Sequence, residues 1–270
     1  MTCINILGTR LEIRSIPAPL HAPARAPIVF LHEGLGSVSQ WGQQGSYWPE
    51  RVCQATGRAG LVYSRRGYGE SDPVPDVRGA GRLAADYMHH EAWVVLPALL
   101  QALGLHQPVL LGHSDGGTIA LLHASRHAVA ACIAMAPHVM VEPICVEVIA
   151  RLAAEYTATA HEPKGLRARL SRYHRDVDCA FWQWNDVWLS DAFRSFDIRP
   201  QCRSITAPLL AVQGQQDPYG TLAQIEDIRR AAPQTRLLTL QACGHSPHRD
   251  QPEPVLKAVA DFLSSLTDSA

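Results

Sequence analysis

The chain has 270 residues, 47% of them apolar and 18% charged, with a formal net charge of −1. That length and composition suit one large α/β domain, or one domain with an insertion, around a sizeable core. The near-neutral balance offers no basic surplus for nucleic acid or an anionic membrane, and no apolar run reaches the roughly 18 residues of a membrane span.

In chain order, the segment Met1–Gly8 has no basic region and no long apolar stretch, so it reads as a strand and not as a signal peptide. An antiparallel pair is expected over residues 3–7 and 10–16, followed by strands near 27–31, 60–64, 108–112, 130–135, 208–213 and 236–240. Helices are expected near 45–57, 83–103, 115–127, 221–231 and 252–266. The stretch 83–103 is marked by Leu83, Tyr87, His90, Val94, Ala98 and Leu99 at helical spacing, with Gly104 as its stop. Strand and helix in alternation imply a mostly parallel sheet covered on both faces.

The alternation breaks over residues 137–207, where Val146–Glu155, Gly165–Val177 and Asp178–Leu189 each suit a helix. This segment is expected to form a helical cap over a core made of residues 1–136 and 208–270. Its aromatic run holds Phe181, Trp184 and Trp188, which would either pack the cap onto the core or wall an apolar pocket.

Chemistry concentrates at the ends of the expected strands. Gly112-His113-Ser114-Asp115-Gly116 follows an apolar run and opens a helix, the setting of a nucleophilic serine on a sharp turn. A serine nucleophile needs a base, and the base needs an acid to orient it. Asp217 stands three residues past Gly214, and His245 lies in the loop after residues 236–240, so the order is Ser, Asp, His. Glu142 is a rival acid, and His248 is a rival base. The loop His32-Glu33-Gly34-Leu35-Gly36 can aim a backbone N–H at a carbonyl under attack, with the N–H of Asp115 as second donor.

With these residues the chain resembles the α/β-hydrolase family over nearly its whole length, through His32–Gly36, Arg66-Gly67-Tyr68-Gly69-Glu70-Ser71, Gly112–Gly117, Asp217 and Gly244-His245. The resemblance implies the α/β-hydrolase fold, Ser114 as nucleophile, His245 as base, Asp217 as acid, and the N–H groups of Gly34 and Asp115 as the oxyanion hole. The Ser-Asp-Gly-Gly elbow is similar to that of the subgroup containing valacyclovir hydrolase. Two departures stand out: Glu33 replaces the usual glycine of the oxyanion loop, and Ser64 begins a loop that usually begins with Asp.

The expected protein is therefore a serine hydrolase that cleaves a small carboxylic ester, lactone or thioester through an acyl-enzyme. The alternatives are a carbon–carbon bond hydrolase of the same fold, or a ligand-binding protein without turnover. Glu33, His138 and Trp184 are expected in the substrate pocket, and Glu33 is expected to pair with Arg65 or Arg66. One of Glu33 and Asp115 could instead bind a cationic group of the substrate. Seven cysteines stand singly with no C-x-x-C pair, which argues against a disulfide framework or zinc site and for a reducing cytoplasm. No cofactor or metal is expected, the partner is a small molecule, and the sequence is compatible with a homodimer.

Overall fold

Five short apolar segments in the middle of the chain are buried along their whole length, the pattern of parallel strands covered on both faces. The computed structural model describes residues 2–43 and 45–266. It places strands β1 (Thr2–Ile6), β2 (Thr9–Ile16), β3 (Ile28–Leu31), β6 (Gly60–Tyr63), β7 (Val109–His113), β8 (Ala131–Met135), β9 (Leu209–Gly214) and β10 (Arg236–Leu240) in one sheet. A small hairpin, β4 (Gly42–Gln43) with β5 (Ser46–Tyr47), stands apart. The order is β1-β2-β6-β3-β7-β8-β9-β10, with only the β1–β2 and β2–β6 pairs antiparallel.

Alternation along each strand feeds two cores. Val29 and Leu31 of β3 join the cluster under helices α2 (Tyr87–His90), α3 (Leu96–Ala102), α4 (Asp115–Ala124) and α9 (Ala223–Ala231). Ile28 and Phe30 face the opposite layer, α1 (Trp48–Thr56) and α10 (Pro252–Ser264). The chain leaves β3 for β6 on one side and returns to β7 on the other. This reversal of strand order opens a crevice at the strands' carboxyl ends.

Two expected helices differ. The segment 83–103 begins only at Tyr87 and is interrupted by a π-helical stretch, Glu91–Val95, between α2 and α3. Pro97 follows directly and has no N–H to give the carbonyl of Trp93, four residues back, so the helix widens there. The wider turn rotates the buried face onto Met88, Ala92, Leu96 and Leu99 and leaves Val94 exposed. Between β8 and β9 lie α5 (Pro143–Ala158), α6 (Leu166–Leu170), α7 (Val177–Trp188) and α8 (Arg199–Cys202). Helix α6 stops well short of Val177, because the following chain is tied to the core: the Arg175 N–H donates to the Gly69 carbonyl, and the His174 ring bridges Gly69 and Leu35. Among the described residues, no helix is long and apolar enough to cross a membrane.

Candidate active site

The strand-to-helix turn after β7 leaves room for no side chain on its flanks. A Cβ on Gly112 would come 2.0 Å from the Gly116 carbonyl oxygen, and one on Gly116 would come 2.0 Å from that of Leu31. Between them Ser114 is held at φ 54° and ψ −120°, a conformation that costs a non-glycine residue on the order of 1–3 kcal/mol. The surrounding packing imposes this strain, and it pushes the hydroxyl out of the sheet.

The Ser114 hydroxyl donates to Nε2 of His245 at 2.9 Å. The His245 Nδ1–H donates to the Asp217 carboxylate, at 2.8 Å to one oxygen and 3.0 Å to the other. With the proton on Nδ1, Nε2 is free to accept from serine. Asp217 also accepts the Tyr219 N–H at 2.8 Å and a Gln213 amide N–H at 2.7 Å. Burial works against its charge, but His245 and the Tyr219 N–H outweigh burial and hold its carboxyl below the ordinary value. The arrangement is that of a serine whose proton can pass to an imidazole oriented by a buried carboxylate.

The rival residues are engaged elsewhere. The Glu142 carboxylate accepts from Thr221 and Gln224. The His248 ring is packed between Trp41, Trp48 and His113.

Above the serine lies a pocket of about 200 Å³. Gly34 and Asp115 line it, and Asp115 opens α4, where backbone N–H groups have no intrahelical partner. Ile149, Leu152, Leu166 and Leu170 supply an apolar wall, with Trp184 and Trp188 beside them. Phe181 does not join this pocket; it stacks on Tyr156 at 3.7 Å. His138 lines the floor, its ring 5.5 Å from that of His245 and edge-on to Trp188. Its backbone is fixed by two bonds with the Thr118 hydroxyl. Burial first, then His245, pushes its imidazolium down to about 3, so the ring is neutral.

The two carboxylates near the serine are both committed to protein groups. Glu33 does not pair with Arg65 or Arg66. Its carboxylate lies 3.2 Å from His113 Nδ1 and 3.4 Å from the Arg249 guanidinium, because its side chain turns toward the loop after β10. His113 in turn donates through Nε2 to the His245 carbonyl at 2.6 Å. Asp115 is fully buried, accepts the Tyr87 hydroxyl at 2.6 Å and pairs with Arg65 at 3.6 Å. Burial pushes its carboxyl up, and Arg65 and Tyr87 oppose that.

Sequence reasoning named Arg65 as a partner for Glu33 rather than for Asp115, and it gave Tyr87 and His174 no role at the site. Arg65 donates to the carbonyls of His32 at 2.6 Å and Glu33 at 3.1 Å while pairing with Asp115, so one guanidinium ties the loop after β3 to the turn at Ser114. His174 accepts the Gly69 N–H and donates to the Leu35 carbonyl. The adjacent Arg66-Gly67-Tyr68-Gly69 run was the available signal for Arg65.

Comparison with known proteins gives this geometry a family. The profile of the alpha/beta hydrolase family matches residues 28–258. The mouse sn-1-specific diacylglycerol lipase ABHD11 is 27% identical over 94% of this chain and 87% of its own length. The AB hydrolase superfamily protein YisY of Bacillus subtilis is 22% identical over 88% of this chain and 92% of its own. Among solved structures, a carboxylesterase of Nitrososphaera gargenis superposes with a TM-score of 0.75 at 17% identity, covering 100% of both chains. The enol-lactonase of Burkholderia xenovorans LB400 superposes with a TM-score of 0.68 at 19% identity, covering 98% of this chain and 100% of its own. The chain belongs to the α/β-hydrolase family.

Proposed function

We propose that the protein is a serine hydrolase acting on small, uncharged ester-type substrates through an acyl-enzyme. The observation that carries this reading is the unbroken Ser114–His245–Asp217 hydrogen-bond chain, with the serine held in a strained turn at the pocket floor. In this reading His245 takes the serine proton as Ser114 attacks the acyl carbonyl. The imidazolium is stabilised by Asp217, and the N–H groups of Gly34 and Asp115 receive the oxyanion. His245 then gives its proton to the leaving alcohol, and water activated by the same imidazole releases the acid.

The substrate class follows from the lining. The acyl part would rest on Ile149, Leu152, Leu166 and Leu170, with residues 137–207 as the cap that closes over it. Because Glu33 is already paired with Arg249 and Asp115 with Arg65, neither favours a cationic ester over a neutral one. The relatives described as lipase and carboxylesterase support acyl transfer to water as the reaction. The test is a fluorophosphonate probe combined with p-nitrophenyl butyrate. Stoichiometric labelling at Ser114 and a burst of nitrophenol are expected, whereas an unlabelled protein with no burst would overturn the assignment.

A further inference from the structure

A second and larger pocket, of about 540 Å³, lies beside the catalytic one and shares no lining residue with it. It sits between the β1–β2 hairpin, the segment 74–87 and the middle of α7 at Gln183, and its volume is in the range of small-molecule sites. Arg65 and Tyr87, which hold Asp115 from below, form its inner wall.

Ile6, Leu11, Leu83 and Val95 give this pocket an apolar side. Leu7 stands at its mouth, 65% exposed and at φ 51° on a hairpin turn, a strained position for a leucine. Opposite lie two buried donors that the protein itself leaves unused. Tyr68 and Gln183 are each 2% exposed, and neither the Tyr68 hydroxyl proton nor the Gln183 amide nitrogen has an acceptor among the described residues. A buried donor without an acceptor destabilises the fold, and a bound acceptor would recover that loss. On the same rim Arg66 is exposed and has no ion-pair partner among the described residues, whereas Arg82 is paired with Asp186.

The acids of the pocket are Asp86 and Glu91, on or next to the α2 and π-helical stretch, and Glu91 already accepts the Tyr63 hydroxyl at 2.7 Å. They disfavour an anion at their end and leave the arginine end for it.

We propose that this pocket is a second ligand site, for an amphiphile with an apolar tail along Ile6, Leu11, Leu83 and Val95 and a carboxylate head at Arg66, Gln183 and Tyr68. Unused donors and an unpaired guanidinium call for an anionic, acceptor-rich group. The hydrocarbon wall calls for a tail, and a medium-chain fatty acid combines the two. The site does not depend on Ser114 being a nucleophile.

The probe is decanoate, below its micellar concentration, titrated into methyl-labelled protein. Saturable binding is expected, with NOEs from the decanoate chain to the methyl groups of Ile6, Leu83 and Val95. Arg66→Ala, an exposed position whose loss leaves packing intact, should weaken binding roughly tenfold, the value of one charge-assisted bond. Leu83→Trp should fill the pocket and abolish binding, while Leu170→Trp, in the catalytic pocket, should leave it unchanged. NOEs confined to Ile149 and Leu170, no saturable binding, or decanol binding as tightly as decanoate would each overturn the proposal.

Discussion

The Arg65 guanidinium and the Asp115 carboxylate meet at 3.6 Å with almost no solvent access to either, 4% for Arg65 and 0% for Asp115. The pair lies under the first turn of α4, so the residue beside Ser114 is held from below by a cation that also grips the loop after β3. Removing one partner leaves the other charged, buried and unpaired, which costs about 3–5 kcal/mol. Asp115→Ala is therefore expected to lower stability by about that much and to depress turnover of neutral and amino esters alike. Denaturant unfolding, with kcat/KM on matched ester pairs, checks this. A loss confined to amino esters would instead make Asp115 a substrate-binding group.

The strained serine separates stability from catalysis. Ser114→Ala should abolish acyl turnover by several orders of magnitude with little change in Tm, because alanine keeps both the φ and the strain. Ser114→Gly should abolish turnover as well but raise stability by about 1 kcal/mol, since glycine adopts positive φ without penalty. Calorimetry on the two variants decides it: equal Tm values would mean that the turn stores no strain.

For the acid, Asp217→Asn should lower kcat by about 10⁴, because the imidazole loses the acceptor that fixes its tautomer. Glu142→Gln should have little effect on rate, since that carboxylate serves Thr221 and Gln224. Steady-state rates of both variants on one ester are sufficient. A larger loss at Glu142 would move the role there.

How much of this was legible in the sequence depends on the range of the interaction. The strands, the glycine-flanked turn at Ser114 and the loops holding Asp217 and His245 are set by neighbouring residues, and the apolar runs and glycines mark them. Arg65 acts on carbonyls and a carboxylate 32 to 50 residues away in sequence, and no local pattern announces that. His174 likewise reaches 105 residues back to Gly69 and 139 to Leu35, and the same contacts cut short the helix expected over 165–177. Glu33 sat beside two arginines by any reading of the loops, yet its rotamer follows His113 and Arg249, a choice made by packing against the chain's far end.

Buried neutral histidines set the acid limit of stability. Burial is the leading cause that pushes His113, His123 and His174 down to about 4 and His138 to about 3 from an ordinary 6.5. A lowered value means that the unfolded chain binds protons the folded one refuses, so stability is fully present above 6.5 and is lost as pH falls toward 4. Each such histidine contributes a slope of up to about 1.4 kcal/mol per pH unit in that window. Tm should therefore be flat from pH 8 to 7 and fall steeply below pH 6. His174→Gln, whose amide can both donate to Leu35 and accept from Gly69, should make the fall shallower. An unchanged slope in that variant would mean that His174 does not take up a proton on unfolding.

Gly34 and Trp184 give a prediction in which two losses partly cancel. A Cβ on Gly34 would come 2.2 Å from Nε1 of Trp184 and 2.4 Å from its Cδ1, so alanine cannot be placed without moving either the indole or the loop. The indole is wedged in α7, 6% exposed with Phe181 edge-on to it, whereas the Gly34 peptide, between the carbonyls held by Arg65 and His174, makes no hydrogen bond of its own among the described residues. Gly34→Ala should therefore swing the Gly34 N–H away from the pocket and lower kcat by about 10²–10³, the value of one oxyanion donor. Trp184→Ala alone removes pocket wall and should mainly raise KM. In the double variant the Cβ has room, the loop can return, and kcat should recover by at least about tenfold over Gly34→Ala. Kinetics of the four proteins on one neutral ester close the cycle. If the two effects simply multiply, the defect at Gly34 does not arise from the indole, and the loop is held by Arg65 and His174.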